Sequence, residues 1–334
     1  MNNPVVVIAE AGVNHNGHIE VAKRLIEVAA AAGADFVKFQ TFRADQIVSA
    51  NAALAEYQKK NVGAGNQLQM LKALEIGPEE HKELIACCEK AGIAFLSTPF
   101  DLPSIELLKG LGVKIGKIPS GEITNLPFLR AMAGAFDKLI MSCGMSDVSE
   151  VAAALNAITA CGFHKSNITI LHCNTEYPTP FEDVNLMAMV ALKQEFGVTV
   201  GYSDHTKGIE VPVAAVALGA TIIEKHFTLD RRMEGPDHKA SLEPDELVQM
   251  ISSIRNIERS LGTGVKRVMP SEKKNRDIAR KSIVAVRAIN KGEIFSEHNL
   301  GVKRPGYGIS PMLWDDVLGK PAKRNFAPDE MIEL

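Results

Sequence analysis

The residues best equipped for chemistry in this sequence are two histidines, His205 and His226, and two lysines, Lys38 and Lys117, each at the end of an apolar, β-rich run. The stretch "TIIEKHFTLD", residues 221–230, shows the type: it opens as a buried strand and then places Glu224, Lys225 and His226 where apolar residues belong. Reading only the ends of such runs yields Glu10; Lys38 and Gln40; Thr98; Lys117 and Ser120; Ser142; His172; Ser203, Asp204 and His205; and Glu224 with His226. Two imidazoles without cysteine, among carboxylates and hydroxyls, point to an open divalent-metal site of mixed nitrogen and oxygen ligands completed by water. Glu224 would be a further ligand or the group that orients one. Lys38 and Lys117, with Thr98, Ser120, Ser142 and Ser203, supply two point charges and several hydroxyls, the makings of a phosphate or carboxylate cradle. A single strand-end hydroxyl reads as a group that satisfies a turn; the set together reads as an anion site.

Groups scattered over two hundred positions meet only if the elements carrying them converge. Eight strand candidates begin near residues 5, 36, 93, 113, 138, 168, 198 and 221, separated by amphipathic helical stretches such as "IEVAKRLIEVAAAAGA" and "PEEHKELIACCEKAG". Alternating strands and helices imply parallel βαβ units. Eight units in about 260 residues predict a (β/α)8 TIM barrel, whose active site gathers at the C-terminal strand ends. An open doubly wound sheet is the competing arrangement, but no G-x-G-x-x-G follows the first strand. Side chains repeat every two residues along a strand, so Lys38 and Gln40 share a face, as do Ser203 and His205, and Glu224 and His226.

Composition narrows the partners. A net charge of -3 over 334 residues gives no general basic field for nucleic acid. Five cysteines, without C-x-x-C spacing, argue against a disulfide framework or a structural zinc and fit reduced thiols in a cytoplasm. The first residues lack a signal-peptide pattern, and "VPVAAVALGATII" falls short of the roughly 18 to 20 residues of a membrane span. A soluble cytoplasmic protein with no membrane partner is expected. Residues 1–262 are assigned to the barrel, the polar and basic stretch 263–281 to a linker, and 282–334 to a small, mainly β domain in which Trp314 should anchor the core.

The ordered runs "IAEAGVNHNG", "VKFQTF", "STPFD", "KIPSGE", "LHCNTEYPTPFEDVNL", "GYSDHT", "EKHFTLD", "GPDHKAS" and "KRPGYGISP" closely resemble the sialic acid synthase family, bacterial N-acetylneuraminate synthases in particular, over nearly the whole chain. That resemblance implies a barrel followed by an antifreeze-like (SAF) domain, in a homodimer that exchanges its small domains. It implies condensation of phosphoenolpyruvate with N-acetylmannosamine and water to give N-acetylneuraminate and phosphate by C–O cleavage. The implied metal is divalent, Mn2+ first and Mg2+ or Co2+ as substitutes, on His205 and His226. By the same resemblance Lys38, Thr98, Lys117, Ser120, Ser142, Thr175 and Ser203 surround phosphoenolpyruvate. Glu10, Gln40, Tyr177 and Asp237 face the sugar and the reacting water, with Glu10 or Asp237 as general base, and Arg304 of a partner's small domain holds the N-acetyl group. Some family members carry Asn where this chain has Thr175. Legionaminic or pseudaminic acid synthases, which take a 2,4-diacetamido-trideoxy hexose, share every one of these motifs and form the alternative. More distant are another phosphoenolpyruvate-condensing 3-deoxy sugar acid synthase and a carbohydrate-binding protein.

Overall fold

The computed structural model describes residues 4–48 and 67–334. The chain divides into two compact units, Met1–Gly262 and Thr263–Leu334. In the first, eight parallel strands run β1 (Val6–Gly12), β2 (Phe36–Thr41), β3 (Ala94–Pro99), β4 (Ile115–Ile118), β5 (Lys138–Ser142), β6 (Ile168–His172), β7 (Thr199–Asp204) and β8 (Ile222–His226). Their order in the sheet is β3-β2-β1-β8-β7-β6-β5-β4, so strands adjacent in sequence are adjacent in space and the last returns beside the first. This is a TIM-type barrel, not an open doubly wound sheet. Among the described residues β3 and β4 pack side by side without a hydrogen-bonded ladder.

Parallel strands covered on both faces should be apolar throughout, and the departures from that rule locate the site. Outward residues such as Val7, Val37, Met141 and Tyr202 join the large core beneath the helices. Inward residues change character along each strand. Ile8, Leu96, Ile140, Leu171 and Ile222 form a separate buried cluster inside the barrel, against which Val6, Phe36 and Ile115 pack. Two positions further on stand Glu10, Thr98, Ser142 and Glu224, and likewise Lys38 after Phe36 and Lys117 after Ile115, all buried. An apolar floor therefore carries a charged and hydroxylated storey at the C-terminal strand ends. No described helix is long and apolar enough to cross a membrane.

The helices follow their sequence signals. Pro78–Ala91 starts on a proline at the first turn and stops at Gly92, whose φ of 72° is the left-handed geometry of a helix C-terminus. Val148–Thr159 opens with a capping box between Asp147 and Glu150.

The second unit pairs β9 (Ser282–Ala285) antiparallel to β10 (Leu300–Lys303) over a core that includes Ile283, Ile289, Phe295, Leu300, Phe326 and Ile332. Phe295 and Phe326 face each other there at 5.9 Å. Trp314 only borders that core, half-buried, so the anchoring role expected of it falls to the two phenylalanines. The stretch expected to be a plain linker carries a 3-10 turn at Pro270–Glu272 and a helix at Lys273–Ala279. Gly306 donates its N–H to the Asp277 carbonyl at 2.8 Å, which ties that helix to the stretch after β10 within the second unit.

Candidate active site

The storey above the floor is a continuous network of charge. Lys38 Nζ lies 2.9 Å from Glu224 Oε2 and 3.3 Å from Glu10 Oε2, and Lys117 Nζ lies 3.6 Å from Glu224 Oε1. Hydroxyls complete it. Lys38 donates to Thr98 Oγ1 at 3.1 Å, Lys117 to Ser142 Oγ at 2.7 Å, and Ser203 Oγ to Glu224 Oε1 at 2.9 Å. Gln40 Nε2 reaches Glu10 Oε1 at 3.4 Å. Glu224, read from sequence as a metal ligand or the orienter of one, instead sits between the two ammonium groups.

A second set of polar groups adjoins Lys117. Ser120 Oγ accepts the Gly144 N–H at 2.9 Å and lies 3.3 Å from Cys173 Sγ. A Cβ on Gly144 would come within 2.8 Å of Thr175 Cγ2 and 2.9 Å of Ser120 Oγ. These residues therefore close on one another only because position 144 has no side chain. Gly144, just past β5, went unremarked in the sequence because its role appears only once three loops meet.

Burial sets the charge states. It drives the Glu10 carboxyl up to about 8, opposed by Lys38 and reinforced by Glu224. Burial alone would raise Glu224 too, but Lys117 and Lys38 outweigh it and hold that carboxyl well below its ordinary range. Lys38 stays charged: burial disfavours the ammonium, yet Glu10 and Glu224 overcome it and raise it. Lys117 is lowered by burial in spite of Glu224. With Glu10 neutral, the raised Lys38 answers the charge of Glu224, and Lys117 Nζ, 2.7 Å from Ser142 Oγ, adds a second basic group beside the place an anion would take.

The two imidazoles stand above this seat. His205 and His226 lie 5.6 Å apart between ring centroids, and Tyr177 packs against both, at 4.1 and 5.7 Å. His205 Nδ1 is 2.6 Å from the Asn174 carbonyl oxygen, which makes Nδ1 the protonated donor and leaves Nε2 its lone pair. Burial lowers His205 to about 4 and His226 well below its ordinary value, so both rings are neutral. His226 Nδ1 is buried without a hydrogen-bond partner. Among the described residues no group of three or more His, Cys, Asp or Glu side chains is placed to hold a metal ion. A divalent ion on two imidazoles, completed by water or substrate oxygens, fits this donor set. Gly12 makes the approach possible: β1 bulges between Glu10 and Gly12, φ at Gly12 is +53°, and a Cβ there would meet His226 Cε1 at 3.1 Å.

Asp237 lies in the loop after β8, which is laced to the loop after β1. Asn14 Nδ2 donates to the Phe227 carbonyl at 2.8 Å and to Ser241 Oγ at 2.9 Å. Asp237 is only 8% exposed, and burial raises its carboxyl to about 6. Arg304 is an exposed residue following β10 in the second unit. His172, grouped by sequence with the strand-end residues, does not join them. Leu171 faces the interior, so His172 turns outward, where Nε2 is 2.9 Å from the Val184 carbonyl oxygen.

A family model described as the NeuB family matches residues 25–266, and one described as the SAF domain matches residues 280–333. The chain is 56% identical over 328 residues to an N,N'-diacetyllegionaminic acid synthase of Campylobacter jejuni, covering 98% of each chain. It is 46% identical over 326 residues to an N,N'-diacetyllegionaminic acid synthase of Legionella pneumophila, covering 96% of this chain and 91% of that one. Among solved structures, an N-acetylneuraminic acid synthetase from Leptospira borgpetersenii superposes with a TM-score of 0.73 at 38% identity, covering 82% of this chain and 90% of that one.

Proposed function

The chain belongs to the NeuB family of sugar acid synthases, and from that premise we propose that it condenses phosphoenolpyruvate with a 2,4-diacetamido-trideoxy hexose and water, giving N,N'-diacetyllegionaminate and phosphate. The observation that carries the choice of sugar is the 56% identity to an N,N'-diacetyllegionaminic acid synthase over 98% of both chains. This reverses the order read from sequence, which put N-acetylmannosamine first and the diacetamido sugar second.

In this reading Lys38 and Lys117 bind the phosphate and carboxylate of phosphoenolpyruvate, with Thr98, Ser120, Ser142, Thr175 and Ser203 donating around them. Gln40 and Tyr177 face the sugar. His205 and His226 would hold the divalent ion, Mn2+ before Mg2+ or Co2+, and its chemistry there is polarisation of the sugar's open-chain aldehyde. Glu10, raised to about 8, carries the proton that the new hydroxyl needs as C3 of phosphoenolpyruvate bonds to the aldehyde carbon. Asp237, raised only to about 6, is ionised at neutral pH and takes a proton from the water that adds at C2. The tetrahedral intermediate then collapses with C–O cleavage. On collapse the proton of the C2 hydroxyl leaves with the phosphate, whose charge the lysines bear, and the proton taken up by Asp237 makes good the one Glu10 gave to the new hydroxyl, so the catalytic groups are restored. Arg304 is assigned to the N-acetyl group of a partner chain's sugar in a domain-swapped homodimer.

Phosphate release measured side by side with N-acetylmannosamine and with its 2,4-diacetamido counterpart tests the sugar. A pocket built to hydrogen-bond a substrate group discriminates strongly against an analogue lacking it. The expected kcat/KM ratio is at least about a hundredfold in favour of the diacetamido sugar, and a preference for N-acetylmannosamine overturns the assignment.

The two carboxyls make a separate prediction. Since Asp237 acts ionised and its carboxyl titrates near 6, kcat/KM falls about tenfold per pH unit below that value. Asp237→Asn should lower kcat/KM by about 100- to 10,000-fold and remove this acid limb. An acid limb that survives in the variant transfers the base role to another group.

A further inference from the structure

Lys225 is the buried ionisable group in "TIIEKHFTLD" that the chemistry above leaves unused. Glu224 and His226 face the pocket, so strand alternation turns Lys225 to the other side of β8. There it is buried completely with Asp204, the residue level with it on β7. Its Nζ donates to Asp204 Oδ2 at 2.5 Å and to the Thr206 carbonyl at 2.5 Å. Thr206 answers with two bonds of its own, from its N–H to Asp204 Oδ1 and from its hydroxyl to Asp204 Oδ2, both at 3.0 Å. Asp204 and Thr206 are the residues on either side of His205. The His205 carbonyl in turn accepts the Thr179 N–H at 2.9 Å, while its ring holds the Asn174 carbonyl. Every bond of the Lys225 ammonium thus ends on a neighbour of His205.

We propose that Lys225 is a positioning residue: by clamping Asp204 and Thr206 from behind the pocket wall, it holds His205 with Nδ1 on the Asn174 carbonyl and the Nε2 lone pair free for a divalent cation. The metal half of this inference rests on the reading of His205 and His226 given above; the ring-orientation half does not. An isolated charge buried at this seam would be costly, and a buried pair of this kind is commonly replaceable by apolar residues without loss of stability. Its value here lies in fixing two adjacent peptide units.

The test separates positioning from mere stabilisation. Lys225→Met strands Asp204, so the double variant Asp204→Leu/Lys225→Met, which removes both charges, and the milder Thr206→Val are made beside it. All three are compared with wild type by circular dichroism, and whichever fold are carried forward. In metal-free protein with 15N-labelled histidine, the His205 ring signals, identified by their absence in His205→Ala, should show the Nδ1-protonated tautomer in wild type and tautomer averaging in the variants. Mn2+ binding, followed by the paramagnetic resonance of the free ion, should weaken about 10- to 100-fold in Lys225→Met and in the double variant, the usual cost of losing support behind a ligand. Folded variants that keep the wild-type tautomer and bind Mn2+ within twofold of wild type overturn the proposal. Should wild type itself bind no Mn2+, the metal reading fails, and the tautomer measurement alone decides whether Lys225 positions His205.

Discussion

Lys38→Met is expected to lower kcat/KM for phosphoenolpyruvate by about three orders of magnitude while leaving a folded protein. Lys38 is bonded to Glu10, Glu224 and Thr98 at once, in a pocket where it is 3% exposed. Its loss removes one of the two charges that seat the substrate anion and leaves two carboxyls facing each other. Truncating one partner of a buried, hydrogen-bonded charge contact costs about 2–5 kcal/mol of binding, and each 1.36 kcal/mol is a factor of ten in rate. Part of the penalty is relieved because Glu10, already poised to be neutral, keeps its proton. Phosphate release over a range of phosphoenolpyruvate concentrations, with the melting temperature as control, reads the effect. A loss below tenfold in a folded variant removes Lys38 from the anion seat.

Glu224→Gln is expected to act on stability as strongly as Lys38→Met acts on turnover. Glu224 lies 2.9 Å from Lys38 and 3.6 Å from Lys117 and accepts from Ser203. Without the Glu224 charge, Lys38 and Lys117 lie buried with only the largely neutral Glu10 beside them. A penalty of about 3–5 kcal/mol, at roughly 2–4 °C per kcal/mol for a domain of this size, lowers the melting temperature by roughly 10 °C. Inorganic phosphate should reverse most of that fall, because an anion that enters between the lysines stabilises the folded state by mass action. Calorimetry with and without phosphate distinguishes the possibilities. An unchanged melting temperature, or equal stabilisation of wild type and variant by phosphate, means that Glu224 does not occupy the anion's place.

The barrel and most of its polar storey were legible in the sequence because strand alternation is a local rule. Lys38 with Gln40, and Glu224 with His226, could be put on one face by counting in twos, and the structure has them there. His172 shows where counting ends. Whether the last or the next-to-last residue of a strand faces inward depends on how that strand is set against its neighbours, and in β6 it is Leu171 that does. Glu224 was placed correctly, but its engagement with two lysines from β2 and β4 is a property of closure, invisible along one strand. The same holds for Gly144, and for Lys225 with Asp204, whose partnership lies on the outer side of two adjacent strands. The choice between one acetamido group and two depends on the contour of the sugar's surroundings, which no motif encodes.

The floor of Ile8, Leu96, Ile140, Leu171 and Ile222 lies buried inside the barrel beneath the charged storey. Glu224 and the lysines rest just above it, two residues deeper along β8 than His226. Under the reading proposed here the chamber works like a blind well with one mouth: the enol phosphate must descend before the sugar covers it. Phosphate, freed at the bottom, must wait for the nine-carbon acid to clear the shaft. On that reading traffic through the chamber would be last in, first out, and the order would follow from the layer of hydrocarbon beneath it.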